Sequence, residues 1–113
     1  MTLRKGEVGK IFRVAAGFDM SLNTELSIKF NKPDSTSVTK TKTGGEVVLG
    51  TSNITDPDLG SLTANEYVEY DIEAGFLDQD GTWTGCLTYT NTGPDPDNIY
   101  IGNSFTFTVL SAC

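Results

Sequence analysis

The chain has 113 residues and no histidine. That absence removes the Ser–His and Cys–His pairs of common nucleophilic catalysis, and with them the commonest zinc ligand. Cysteine is scarce: Cys86 and Cys113 are the two present. Long apolar runs are missing as well. No segment approaches the roughly 20 apolar residues of a membrane span, and Met1–Glu7 lacks the apolar stretch of a secretory signal. The expected compartment is therefore the cytosol, where the two thiols stay free rather than bridged. Cations are absent from a whole half of the chain, since every Lys and Arg lies at or before Lys42.

The charges that are present divide sharply. Residues 1–45 carry eight cations against Glu7, Asp19, Glu25 and Asp34, a net of +4, and residues 46–113 carry eleven carboxylates and no cation. The overall charge of −7 opposes non-specific nucleic-acid binding, which depends on neutralising phosphates. The cluster Arg4, Lys5, Lys10 and Arg13 is too sparse to reverse that. A small domain with unlike surfaces suits ordered contact with other protein subunits.

Length points to one domain that buries roughly two-thirds of its unfolded surface. The apolar share of 37% implies a thin core. Period-two alternation recurs along the chain, as half-buried strands require. Leu26–Asn31 alternates cleanly, and Lys32-Pro33-Asp34-Ser35-Thr36 follows with turn chemistry. Ser37–Thr43 is a polar return strand, with Lys40 and Lys42 spaced to share an exposed face that guards an edge. Glu46–Gly50 is a short strand, and 52–62 reads as a long loop. Glu66–Ile72 turns Val68, Tyr70 and Ile72 inward, leaving Glu69 and Asp71 to face Lys29 if those strands are neighbours. Thr82–Thr90 puts Trp83, Leu87 and Tyr89 on one face and Cys86 on the other. Phe105–Val109 alternates again, and Lys10–Val14 supplies a first strand.

The pattern predicts an all-β chain: an immunoglobulin-like β-sandwich of about seven antiparallel strands, with an up-and-down barrel as the alternative. Residues 1–9 are expected to be a flexible N-terminal segment, and residues 10–113 the sandwich.

Chemistry-bearing groups are few. Three Asp-x-Asp pairs fall in predicted loops: Asp56/Asp58, Asp78/Asp80 and Asp95/Asp97. Converging carboxylates of this kind can hold Ca²⁺. Asp beside Pro or Gly is also ordinary turn chemistry, which is the favoured reading, and none of the three matches an EF-hand loop. No metal or other cofactor is expected. Paired carboxylates are the minimum for a glycosidase, but a sandwich this small has little room for a cleft, and no enzymatic activity is expected. Trp83 and Tyr70 fit a core better than a sugar platform. Tyr67 and Tyr100 fall out of phase with that core and are expected at the surface, as candidates for protein contact.

Taken together, Phe30-Asn31-Lys32-Pro33-Asp34, the Thr-rich return strand, Leu77-Asp78-Gln79-Asp80-Gly81-Thr82-Trp83 and the closing Phe105-Thr106-Phe107-Thr108-Val109 resemble small immunoglobulin-like accessory proteins of tailed bacteriophage virions. The N-terminal domains of baseplate upper proteins have this order. The likeness runs from about Gly9 to Val109. It departs at Ser35, where the family often has Gly, and it departs from antibody domains at Gly85, where Cys does not follow Trp83.

The resemblance implies a non-enzymatic structural subunit of the virion, either a tail, neck or baseplate accessory protein or a capsid decoration protein. It implies assembly in the bacterial host cytoplasm, and partners that are other virion structural proteins in a homo- or hetero-oligomeric ring or shell. Membrane and nucleic acid are not expected partners. Such domains bind through whole faces. The charge pattern picks out Arg4, Lys5, Asp56, Asp58, Asp78, Asp80, Asp95 and Asp97 as candidate subunit contacts. A function of a different class, a carbohydrate-binding module attaching to host surface glycans, would use Trp83 or exposed tyrosines.

Overall fold

Ten strands carry the fold in the computed structural model, which describes residues 2–91 and 98–112. They are β1 (Leu3–Arg4), β2 (Ile11–Ala15), β3 (Asn23–Asn31), β4 (Ser37–Thr41), β5 (Val47–Leu49), β6 (Ile54–Asp56), β7 (Gly60–Leu62), β8 (Tyr67–Asp71), β9 (Gly81–Asn91) and β10 (Asn98–Leu110). No helix occurs among the described residues. One sheet has the order β1-β10-β9-β3-β4, a second the order β2-β8-β5, and β6 and β7 pair only with each other. β1 runs parallel to β10, with Leu3 opposite Val109. The other pairings are antiparallel.

Alternation explains how the two larger sheets meet. β3 buries Leu26, Ile28 and Phe30; β8 buries Val68 and Tyr70; β9 buries Trp83, Leu87 and Tyr89. These side chains form one core with Phe12, Val14, Met20, Val47, Phe76 and Leu77. Phe30 on the large sheet meets Phe12 on the small one at 5.5 Å between ring centres, and Tyr70 at 5.8 Å. Trp83 is fully buried, with its indole N–H donated to the Gln79 carbonyl at 3.0 Å. The expected inward faces of these three strands are therefore present.

Several finer expectations are corrected. The count of about seven strands omits β1 and the hairpin β6–β7. The hairpin occupies the segment read as a long loop: Asp56 Oδ1 accepts the N–H groups of Asp58 and Leu59 at 2.8 and 2.9 Å. Gly60, at φ 79°, then takes the left-handed conformation such a short turn requires. The N-terminal segment is also part of the domain, which begins at Leu3 rather than Lys10. Leu3 is buried in the core, Lys5 N–H bonds Leu110 O at 2.9 Å, and Gly9 N–H bonds Ile72 O at 2.8 Å.

Strand β8 lies between β2 and β5, so Glu69 stands opposite Arg13 and not near Lys29, which pairs with Cys86 and Thr39. Tyr67 is buried, not exposed. Its ring lies so close to Gly50 that a Cβ there would fall 2.1 Å from it, and its hydroxyl donates to Ser52 O at 2.8 Å. Lys40 does not share an open face with Lys42. It reaches over the Tyr70 and Phe76 rings at 5.7 and 5.8 Å, with its ammonium 3.0 Å from Glu46. The aliphatic stem covers the rim of the core while the charge stays paired.

The turn between β3 and β4 holds a side-chain-bearing residue in a conformation that favours glycine. Ser35 has φ 72°, a region that costs a side-chain-bearing L-residue energy. Ser35→Gly should raise stability by about 0.5–1 kcal/mol, the relief of that strain less the extra unfolded-state freedom of glycine; chemical denaturation measures it. Leu3→Ala should lower stability by about 2–4 kcal/mol, as for a core leucine. A loss near zero would return residues 1–9 to the status of a detached lead-in.

Candidate interaction surface

The two larger sheets do not close on the side where β2 and β10 run. β2 is the edge of its sheet, and β1 covers β10 only at Val109 and Leu110. Between these edges lies a groove of about 650 Å³. Its apolar floor comes from Phe12 and Val14 on one side and from Phe105 and Phe107 on the other. Phe12 lies 5.4 Å from Phe105 and 4.9 Å from Phe107 between ring centres. Phe105 is held there because Gly85, on the neighbouring strand, has no side chain; a Cβ at Gly85 would lie 2.7 Å from the Phe105 ring and 2.5 Å from Lys29 O. The absence of Cys at position 85 is thus a packing requirement.

Arg13 forms the polar wall. Its Nε donates to Glu69 Oε2 at 2.8 Å and its Nη1 to Asp56 Oδ2 at 3.0 Å. One guanidinium therefore ties the β6–β7 hairpin to the small sheet. Burial pushes the Asp56 carboxyl up, but the Leu59 N–H and the Arg13 guanidinium outweigh it and hold the carboxyl below its ordinary value. Among the described residues, no group of three His, Cys, Asp or Glu is arranged to hold a metal ion.

The other candidate contacts fall in different places. Arg4 Nη1 donates to Ser111 O at 3.3 Å, and Ser111 Oγ donates to Asp80 at 2.7 Å. Arg4, Lys5 and Asp80 thus gather at one corner where the chain ends meet. Asp78 is ion-paired with Lys32 at 2.9 Å. Asp56 is buried in its hairpin, which removes it from the exposed loop expected of it, while Asp58 lines the groove. Asp95, Asp97 and Cys113 lie outside the described residues. Cys86 has a free thiol.

A second apolar area, at another place on the chain, is formed by the exposed Phe18 and Tyr100; Leu22, Ile99 and Ile101 are exposed too, the two isoleucines on the opposite face of β10 from Tyr100. Phe18, Tyr89 and Tyr100 pack edge-on or tilted against one another, at 5.5 to 5.8 Å between ring centres. Tyr100 is exposed, as its phase suggests. The alternation of Phe105 and Phe107 is visible in the sequence; that no strand among the described residues covers them is not.

Comparison with protein-family models, curated proteins and solved structures gives no match for this chain.

Asp56→Asn keeps an oxygen for the Asp58 and Leu59 N–H groups and removes only the charge facing Arg13. It should cost about 1–2 kcal/mol at pH 7. Because the folded-state pKa of Asp56 is lowered, its stabilisation is complete above the ordinary carboxylate pKa and fades as pH falls through the lowered value. The gap between parent and variant should close on acidification; urea melts from pH 7 to 3 would show it, and a constant gap would contradict it.

Proposed function

We propose that this chain is a non-enzymatic structural subunit of a tailed bacteriophage virion, a tail, neck or baseplate accessory protein or a capsid decoration protein, which works by binding neighbouring virion proteins. The observation that carries this reading is the groove between β2 and β10: an apolar floor flanked by two strand edges is what a protein partner fills. The separate exposed cluster around Tyr100 adds a second contact area, as a subunit touching more than one neighbour needs.

Strand order supports an immunoglobulin-like assignment for the fold. With β1 and the β6–β7 hairpin set aside, seven strands remain: β2, β5 and β8 in one sheet, and β3, β4, β9 and β10 in the other. That is the division of strands B, D and E against C, C′, F and G in immunoglobulin domains. The parallel seat of β1 on β10 extends the second sheet at its open side.

The carbohydrate-binding alternative loses most of its candidate platforms, because Trp83, Tyr67, Tyr70 and Tyr89 are buried. Tyr100 remains, beside Phe18, and a glycan array addresses it directly.

Purified particles should contain the protein at a fixed number of copies relative to the major capsid or tail protein, measured by quantitative mass spectrometry; its absence would sink this reading. Joint replacement of Arg4 and Lys5 by Glu should leave stability within about 0.5 kcal/mol, as for exposed sites, while reducing incorporation to a minor fraction. Undiminished incorporation removes the N-terminal corner from the contact surface.

A further inference from the structure

The groove can be read more closely from its backbone. Successive residues of a strand turn their N–H and C=O groups to alternate sides. On β10, Leu110 O accepts from Lys5 N–H, so Leu110 faces the open side. By alternation Thr108, Thr106 and Ser104 face it too, while Phe105 and Phe107 direct their backbone groups toward β9. On β2, the Lys10 carbonyl accepts from Ile72 and the Ala16 N–H donates to Glu66, so even-numbered residues face β8. Ile11, Arg13 and Ala15 therefore direct their backbone groups away from β8, toward the free edge. Two rows of strand-edge donors and acceptors flank an apolar floor. An unpaired edge of this kind is a template for another strand.

Resting on the structural-subunit reading for the partner's identity, we propose that the groove receives an extended segment of a different virion protein as an added strand along Ser104–Phe107, in line with β1. Register defines the chemistry of that segment. Leu3 stands opposite Val109 and points into the core. Continuing the parallel pairing upstream gives the same inward parity to the positions opposite Phe107 and Phe105. The segment therefore carries apolar residues at those alternate positions, over the Phe12, Phe105 and Phe107 rings, and polar residues between them, beside Ser104 and Thr106. The strand comes from another protein because this chain's own well-alternating strands, β3, β8, β9 and β10, already bury their apolar faces in its own core.

The test supplies the strand in cis. A six-residue Thr-Val alternation is fused upstream of Thr2 in the full chain, with the valines at the parity of Leu3. A second version shifts the alternation by one residue. The in-phase fusion should raise Tm by about 5 °C and slow amide exchange at Ser104 and Thr106 by about tenfold or more. The shifted fusion should do neither. Thr106→Pro removes an outward N–H at an edge position where proline is tolerated, and should abolish the gain in the in-phase fusion. If that variant does not fold, Ser104→Pro serves, and the phase comparison needs no substitution.

Equal behaviour of the two phases, or no effect from either, overturns the strand-acceptor assignment. Concentration-dependent dimerisation of the unfused chain with protection of the same amides overturns the assignment to a different protein, and so does a glycan found in the groove. Absence of the protein from purified particles removes the virion reading and leaves the fusion result standing, so the two failures are distinguishable.

Discussion

Phe30 is the point on which both layers depend. Its ring meets Phe12 and Tyr70 from the small sheet, Phe105 and Phe107 from β10, and Phe76 from the link between β8 and β9, all within 6.2 Å between centres. Most of these contacts are edge-on or tilted, the arrangement that ring quadrupoles favour. One aromatic ring thus touches side chains from both sheets and from the link between them, and holds them at a common spacing. The groove is a direct result. The rings that hold the sheets together at Phe30 continue outward to Phe12, Phe105 and Phe107, and they reach the surface where no strand among the described residues covers them.

What the sequence revealed followed from local periodicity. Leu26, Ile28 and Phe30, or Trp83, Leu87 and Tyr89, announce an inward face through spacing alone. What it concealed was pairing. Glu66–Ile72 shows which side chains turn inward but not that β2 and β5 are its neighbours, so spacing leaves the facing of Glu69 and Lys29 conditional, and sheet order gives Glu69 to Arg13. Tyr67 looked exposed by phase, because nothing local reveals that Gly50 opens a space for its ring. The β6–β7 hairpin was hidden because its three-residue strands are too short to show a period, although Asp56 and Gly60 carried its turn chemistry. The groove was invisible for the same reason as the pairing: an uncovered edge is a property of sheet order. Of the candidate contacts, Arg4, Lys5 and Asp80 share a corner and Asp58 lines the groove. Asp56 belongs to the hairpin's own structure.

The division of charge along the chain has a folded counterpart. Arg13 meets Asp56 and Glu69, Lys32 meets Asp78, and Lys40 meets Glu46 and Glu73. Each pair joins the early basic half to the late acidic half; Arg13 and Glu69 meet across the β2–β8 pairing, and the others through turns, links and the β6–β7 hairpin. The acidic surplus remains on the surface and keeps copies of the chain apart unless a partner compensates it.

The parallel seat of β1 on β10 also has a consequence for timing. Leu3 and its partner Val109 stand more than a hundred positions apart in the sequence. No folding of the emerging chain can close that pairing until Val109 has been translated, and contacts of such long sequence separation form slowly. Until then Leu3 lacks its seat and the edge of β10 does not exist. The open edge of β10 therefore comes into being only with the finished domain: the fold must be complete before that edge can pair with anything.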